Sequence, residues 1–221
     1  MTDRVWEILV SSFVKILIPG IKVTIPLTIT SFTLSLILGV LLAVAQNSRI
    51  KVLDKIAQFY IWIFRGTPII VQLFIIFFGL GSMGLVIPAF WAATIAFGLN
   101  LAAYNAESIR AAIEAIPRNQ YEAASMSGIN YSQTMRYIIL PQASRIAFPS
   151  LFNNLISLLK DTSLAASITV VDLFTAAQQI AARTYEPFAL YCEAAVIYLI
   201  FCTFLTWVQK KIEGRLDLMD K

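Results

Sequence analysis

Long apolar runs separated by short polar stretches make up most of this chain. The first run, about Ile16 to Ala45, carries Lys22 near one end and Gln46-Asn47-Ser48-Arg49 at the other. Its roughly 30 residues exceed the roughly 20 that a helix needs to cross a bilayer, so a tilted or partly interfacial helix is expected. Ahead of it, Met1 to Lys15 mixes charge with Val5, Trp6, Ile8, Leu9 and Phe13 and predicts an interfacial helix. The apolar region is too long, and lacks the small-residue cleavage pattern, for a signal peptide. Arg49, Lys51 and Lys55 form a basic loop. A second run, about Ile56 to Leu80, is interrupted by Arg65-Gly66-Thr67-Pro68, where a lost backbone donor and a glycine predict a kink or partial unwinding. Gly79 to Gly84 makes an uncharged turn. The third run, about Val86 to Ile109, turns polar at Asn100, Tyr104, Asn105, Glu107 and Arg110. The fourth, about Ile146 to Ala177, contains Asn153, Asn154, Lys160, Asp161, Thr162 and Ser163. Tyr185-Glu186-Pro187 is a turn, and the fifth run, about Phe188 to Val208, ends in Gln209-Lys210-Lys211. The expected fold class is all-α: a polytopic membrane protein of about five transmembrane helices, forming one domain over residues 1–221.

One stretch does not belong in a bilayer. Between the third and fourth runs lies Pro117-Arg118-Asn119-Gln120-Tyr121-Glu122-Ala123-Ala124-Ser125-Met126-Ser127-Gly128-Ile129, part of a polar loop from about 117 to 141. A proline opens it, Gln120, Glu122, Ala123 and Ala124 favour helix, and Gly128 stops it. Tyr121, Ala124 and Met126 are expected to give this short helix a modest apolar face for a partner protein.

Composition agrees with the membrane class. Of 221 residues, 58% are hydrophobic and 14% charged, and the mean hydropathy is +0.75. The net charge of +4 sits in clusters at the ends of apolar runs, as topology signals do, so it does not imply a nucleic-acid partner. The chain has no histidine, which excludes histidine-based metal sites, proton relays and catalytic triads. Cys192 and Cys202 are too far apart on one helix to bridge. Arg49, Lys51, Lys55, Arg110, Arg118, Arg136, Arg145, Lys210, Lys211, Arg215 and Lys221 fall on one side of five spans, against Arg4, Lys15, Lys22 and Arg183 on the other. The positive-inside rule then makes the polar loop and C-terminus cytoplasmic and the N-terminus external. Asn130-Tyr131-Ser132 on that side is a glycosylation sequon by coincidence only.

Several motifs in order carry a family resemblance. Glu122-Ala123-Ala124, Gly128 after three intervening residues, then Ile138, Leu140 and Pro141, resemble the EAA signature of permease subunits in binding-protein-dependent ABC importers. Arg65-Gly66-Thr67-Pro68, Glu107 with Arg110, Pro141-Gln142 and Lys160-Asp161-Thr162-Ser163-Leu164 resemble its polar amino acid branch. The resemblance implies a bacterial inner-membrane subunit with a coupling helix that docks on a cytoplasmic ATPase, placing Tyr121, Glu122, Ala123, Ala124, Gly128, Leu140 and Pro141 at the coupling contact. It also implies an extracytoplasmic solute-binding protein and a second permease subunit, either a homodimer mate or a similar chain. The chain has no Gly-x-x-x-x-Gly-Lys-Ser/Thr loop, so no cofactor is expected on it, and ATP and Mg²⁺ would belong to the partner.

An amino acid substrate needs an acceptor for its ammonium and donors for its carboxylate. Asp161 or Glu107 would supply the first; amides, hydroxyls or backbone near a broken helix would supply the second. The candidate pathway residues are therefore Asn100, Tyr104, Glu107, Asn153, Asn154, Asp161, Thr162 and Ser163, with Asp161 near the middle of the fourth span. Glu107 and Arg110, at i and i+3, also suit a purely structural pair, as do Lys160 and Asp161. Arg65-Gly66-Thr67-Pro68 reads as a kink and packing element. An ion-coupled secondary transporter using Glu107 or Asp161 is the alternative, and the lack of an internal repeat argues against it. An integral-membrane enzyme is disfavoured by the absence of a grouped nucleophile and base.

Overall fold

A computed structural model describes residues 2–48 and 50–217. Met1, Arg49 and Lys221 lie outside the described residues. All the regular structure among the described residues is helical. The chain opens with α1 (Thr2–Pro19), a π-helical turn (Gly20–Thr24) and α2 (Ile25–Gln46), continuous from Asp3 to Gln46. The expected interfacial helix thus runs without a break into the first span. Two prolines, Pro19 and Pro26, remove backbone donors there, and the wider π turn between them absorbs the mismatch without a break. Tertiary contacts hold the N-terminal part: Ile16 is buried with Leu173, Leu190 and Ile197, and the Ser12 hydroxyl donates to Glu193 at 2.6 Å.

The second apolar run does more than kink. α3 (Lys51–Gly66) and the following rod, α4 (Ile69–Phe74), a π turn (Ile75–Gly79) and α5 (Leu80–Ser82), meet at 103°. Thr67 and Pro68 are both extended, with ψ of 142° and 137°. A residue before proline is driven out of the helical region, so the break falls where the ring dictates. α6 (Ala89–Glu114) follows, 26 residues long and therefore able to cross a bilayer. Its polar residues lower its hydropathy, and one of them, Asn105, is completely buried and serves the interior.

After α6 come α7 (Arg118–Met126), α8 (Tyr131–Thr134), a π turn (Met135–Ile139) and α9 (Leu140–Asp161). The fourth run was expected to be one helix to about Ala177. Instead α9 tightens into a 3₁₀ segment (Thr162–Ile168), Thr169 turns left-handed at φ 68°, and Asp172 caps α10 (Leu173–Thr184), which is bent by 53° from the preceding rod. Thr175 N–H donates to Asp172 Oδ1 at 2.8 Å, the side-chain cap that starts the new helix. Lys160 and Asp161 consequently sit at the end of α9 rather than the middle of a span. Tyr185 turns the chain at φ 59° into α11 (Pro187–Asp217), the last span.

The core of the bundle is the seam between α2 and α6. Lipid tails are as apolar as leucine, so helices in a bilayer associate through close packing and hydrogen bonds more than through the hydrophobic effect. Ala92, Ala93, Ala96, Ala102, Ala103 and Ala106 along α6 are all buried. At Gly39 of α2 an added Cβ would lie 2.8 Å from Asn105 Cβ and 3.3 Å from the Ala102 carbonyl oxygen. Gly39→Ala is therefore expected to lower stability by about 1–3 kcal/mol, because backbone cannot move aside. Gly81→Ala, with no atom within 4 Å, is expected to be near neutral. Thermal unfolding of the detergent-solubilised chain, compared between the two variants, checks this.

Candidate functional site

The polar loop forms the helix its sequence predicts, α7, and ends it at Gly128. Gly128 has φ 74°, its N–H donates to Ser125 O at 3.0 Å, and Ile129 N–H donates to Ala124 O at 3.0 Å. That pair of bonds closes the helix through a left-handed residue, which glycine adopts without strain. The expected apolar face does not hold together. Ala124 is three positions on from Tyr121, so they share a side, but Met126 is five on from Tyr121 and about 140° round the helix. Ala124 is buried and Tyr121 packs on Ile113, Ile116 and Ile139, so this face seats α7 on its own chain. Burial lifts the Tyr121 phenol above its ordinary value, with nearby Tyr131 adding to the effect. Glu122, Ala123, Ser125 and Met126 are turned outward, Met126 at 90% exposure. Asn130 is no glycan site but a helix cap: its Oδ1 accepts from Gln133 N–H at 3.0 Å, and its own N–H donates to Gln133 Oε1 at 3.3 Å. Leu140 and Pro141, both exposed, open α9.

A second site lies at the break between α3 and α4. A cavity of about 600 Å³ is lined by Arg65, Gly66, Thr67, Pro68, Asn100, Tyr104, Asn154, Ser157 and Asp161, among others. Four of the eight expected pathway residues, Asn100, Tyr104, Asn154 and Asp161, meet here. The other four do not. Asn153 is exposed on α9, a helical step of about 100° from Asn154. Thr162 is buried with its hydroxyl donating to Leu159 O, and Ser163 faces a different, largely apolar cavity beside Lys160 and Tyr198. Glu107 lies behind the cavity, ion-paired to Arg65 at 3.5 Å and to Arg110 at 3.2 Å.

Two residues that the sequence reading left out complete the site. Arg65 belongs to the cavity wall as well as to the break, with its guanidinium 5.3 Å from the centre of the Tyr104 ring. Gln72 repairs the broken helix: its amide donates to Thr67 Oγ1 at 2.7 Å and to Phe64 O at 3.1 Å, while Asn100 donates to Phe64 O at 3.0 Å and Gln72 Oε1 at 3.1 Å. Both donors of Asn100 thus hold the break open. Proline, glycine and arginine in one tetrapeptide were the sequence signal for a polar, irregular wall; Gln72, one amide in an apolar run, gave none.

Asn154 is held in turn by a buried relay. Its Nδ2 donates to Asn105 Oδ1 at 2.9 Å, and Asn105 Nδ2 donates to Ser35 Oγ at 3.0 Å, so one amide ties α2, α6 and α9 together.

Comparisons with known proteins agree with this architecture. Residues 35–218 match the family described as binding-protein-dependent transport system inner membrane component. The L-cystine transport system permease protein TcyB of Bacillus subtilis (strain 168) is 45% identical, covering 96% of this chain and 91% of that one. The arginine transport system permease protein ArtQ of the same organism is 36% identical over 94% of this chain and 95% of that one. A crystal structure of an amino acid ABC transporter with histidines superposes with a TM-score of 0.88 at 35% identity, covering 93% of this chain and 96% of that one.

The Asn105 relay predicts an asymmetric result at neighbouring positions of similar chemistry. Asn105→Leu strands the Asn154 amide and removes the donor to Ser35 Oγ, which keeps only its bond to Phe32 O, and is expected to destabilise by about 1–3 kcal/mol. Asn153→Leu, on the exposed side of α9, is expected to change the unfolding temperature little.

Proposed function

The chain belongs to the family of inner-membrane components of binding-protein-dependent transport systems, and on that premise we propose how its parts serve an ATP-driven amino acid importer. It is the membrane-spanning subunit of such an importer, not an enzyme. ATP and Mg²⁺ are bound by a separate ATPase subunit that docks on the cytoplasmic side. α7 is the docking element, through the outward row of Glu122, Ala123, Ser125 and Met126. The observation that carries this reading is the two-sided build of α7: Tyr121 and Ala124 fix it to α6 and α9, and the opposite face is left bare. A helix so seated transmits displacement from an ATPase pair to α6 and α9, which line the cavity. A second permease subunit, a copy of this chain or a similar one, completes the pathway. The distribution of basic residues supports an orientation with α7 and the C-terminus in the cytoplasm and the N-terminus outside, where a solute-binding protein would deliver substrate.

The cavity at the α3–α4 break is the amino acid station. Arg65 offers a two-pronged donor to a carboxylate. Asp161, which has no ion-pair partner among the described residues, accepts the ammonium. Glu107 is already engaged by two guanidiniums and is not the acceptor. Relatives carry names for cystine and arginine transport, and both substrates share the α-ammonium and α-carboxylate that this pair of charges fits.

The test is coupling. Glu122→Lys reverses a charge on the bare face of α7 without touching its seat. The variant is expected to fold, to keep the thermal stability of the parent and to lose co-purification with its ATPase. Normal assembly of the variant with the ATPase would move the docking site off α7.

A further inference from the structure

Arg65 faces two ways. It lines the amino acid cavity and lies over Tyr104, while its Nη1 is 3.5 Å from Glu107 Oε2. That same oxygen is 3.2 Å from Arg110 Nη2. Glu107 Oε1 accepts from Arg110 Nε at 3.3 Å and from Gln46 Nε2 at 3.3 Å. Arg110 is anchored further by Glu114 at 2.6 Å. Glu107, Arg110, Glu114 and Gln46 border a separate polar recess that shares none of the cavity's residues. Among the described residues Arg65 is therefore the one cation that reaches from the cavity to this cluster, and its contact with Glu107 is the longest of the four given above.

We propose that Glu107 is the resident counter-ion of Arg65, holding the guanidinium while the cavity is empty and giving it up to the carboxylate of an incoming amino acid. This rests on the cavity being the amino acid site. A guanidinium at membrane depth is poorly tolerated without an anion, and Glu107 supplies one in the empty state. When substrate arrives, its carboxylate takes Arg65, and Glu107 stays neutralised by Arg110 and hydrogen-bonded by Gln46, neither of which lines the cavity. The exchange trades one ion pair for another, so the substrate gains less than a free arginine would give it. A transport site needs this: binding strong enough to load and weak enough to leave. Glu107 is thus a positioning residue that sets affinity without touching substrate. It lies on α6 between the cavity residues Asn100 and Tyr104 and the α7 seat at Ile113 and Ile116.

The proposal makes two neighbouring variants act in opposite directions. Glu107→Gln removes the competing anion and is expected to tighten amino acid binding several-fold. Arg110→Gln leaves Arg65 as the only cation on Glu107 and is expected to weaken binding several-fold. Glu107→Asp is expected to restore affinity toward that of the parent. Equilibrium binding of radiolabelled cystine, glutamine and arginine to the purified permease–ATPase complex, without binding protein, reads all three. Unfolding temperature reports whether each variant is folded. Weaker binding in Glu107→Gln, or shifts of the same sign in both glutamine variants, would overturn the counter-ion role and leave Glu107 a structural brace. A parent complex that binds none of the three amino acids would overturn the cavity reading and this inference with it.

Discussion

Everything in this bundle hangs on how closely α6 is held by its neighbours. Between helices in a bilayer, burial of apolar surface gives little preference for protein over lipid, so contact must come from fit and from hydrogen bonds. Gly39 lets α2 approach the α6 backbone so closely that a methyl group has no room. A row of alanines keeps that approach open along the helix. Asn105 then fixes the register, since one amide bonds to α2 on one side and α9 on the other. The result is a stiff rod with the cavity residues Asn100 and Tyr104 along its length and the α7 seat, Ile113 and Ile116, near its C-terminal end. Whatever moves α7 moves the wall of the cavity.

The cavity itself is a consequence of a helix that fails. Pro68 forces Thr67 into extended geometry, the helix stops, and carbonyl groups at Phe64 and Thr67 lose their partners. Broken backbone is tolerated in a membrane only where protein or a polar cavity satisfies it. Gln72 and Asn100 do so here: Gln72 donates to Phe64 O, Thr67 O and Thr67 Oγ1, and Asn100 donates to Phe64 O and steadies Gln72 through its Oε1. The same break brings Arg65 to the cavity wall beside Tyr104, in a lining that also includes Asp161, which ends α9. A polar, charge-balanced pocket at a discontinuous helix is the arrangement in which membrane transporters hold small zwitterions.

Much of this was legible in the chain. Apolar runs gave the spans, Pro117 and Gly128 gave the limits of α7, and the Arg65-to-Pro68 tetrapeptide marked the break. What escaped was the magnitude and direction of things that depend on the third dimension. A kink and a 103° turn have the same proline. Met126 looked like a partner of Tyr121 by composition, but helical phase separates them. Asn153 and Asn154 are indistinguishable in sequence, and only the 100° step of the helix sends one to the cavity and one outward. Gln72 and Asn105 lie among apolar residues, where a single amide carries no sign of its role until its partners arrive from other helices. The residues 162–172 read as span because most of their side chains are small or apolar, whereas Asp172, through its cap on Thr175, starts a new helix there.

The central claim is that this chain couples ATP hydrolysis elsewhere to amino acid passage through its own cavity. Its most direct test is uptake of a labelled amino acid into proteoliposomes containing the permease, its ATPase and its binding protein. ATP inside the assay, with no ion gradient, is predicted to drive uptake above the level seen with a non-hydrolysable analogue. Uptake driven by a proton or sodium gradient without ATP would contradict the account and make the chain a secondary transporter.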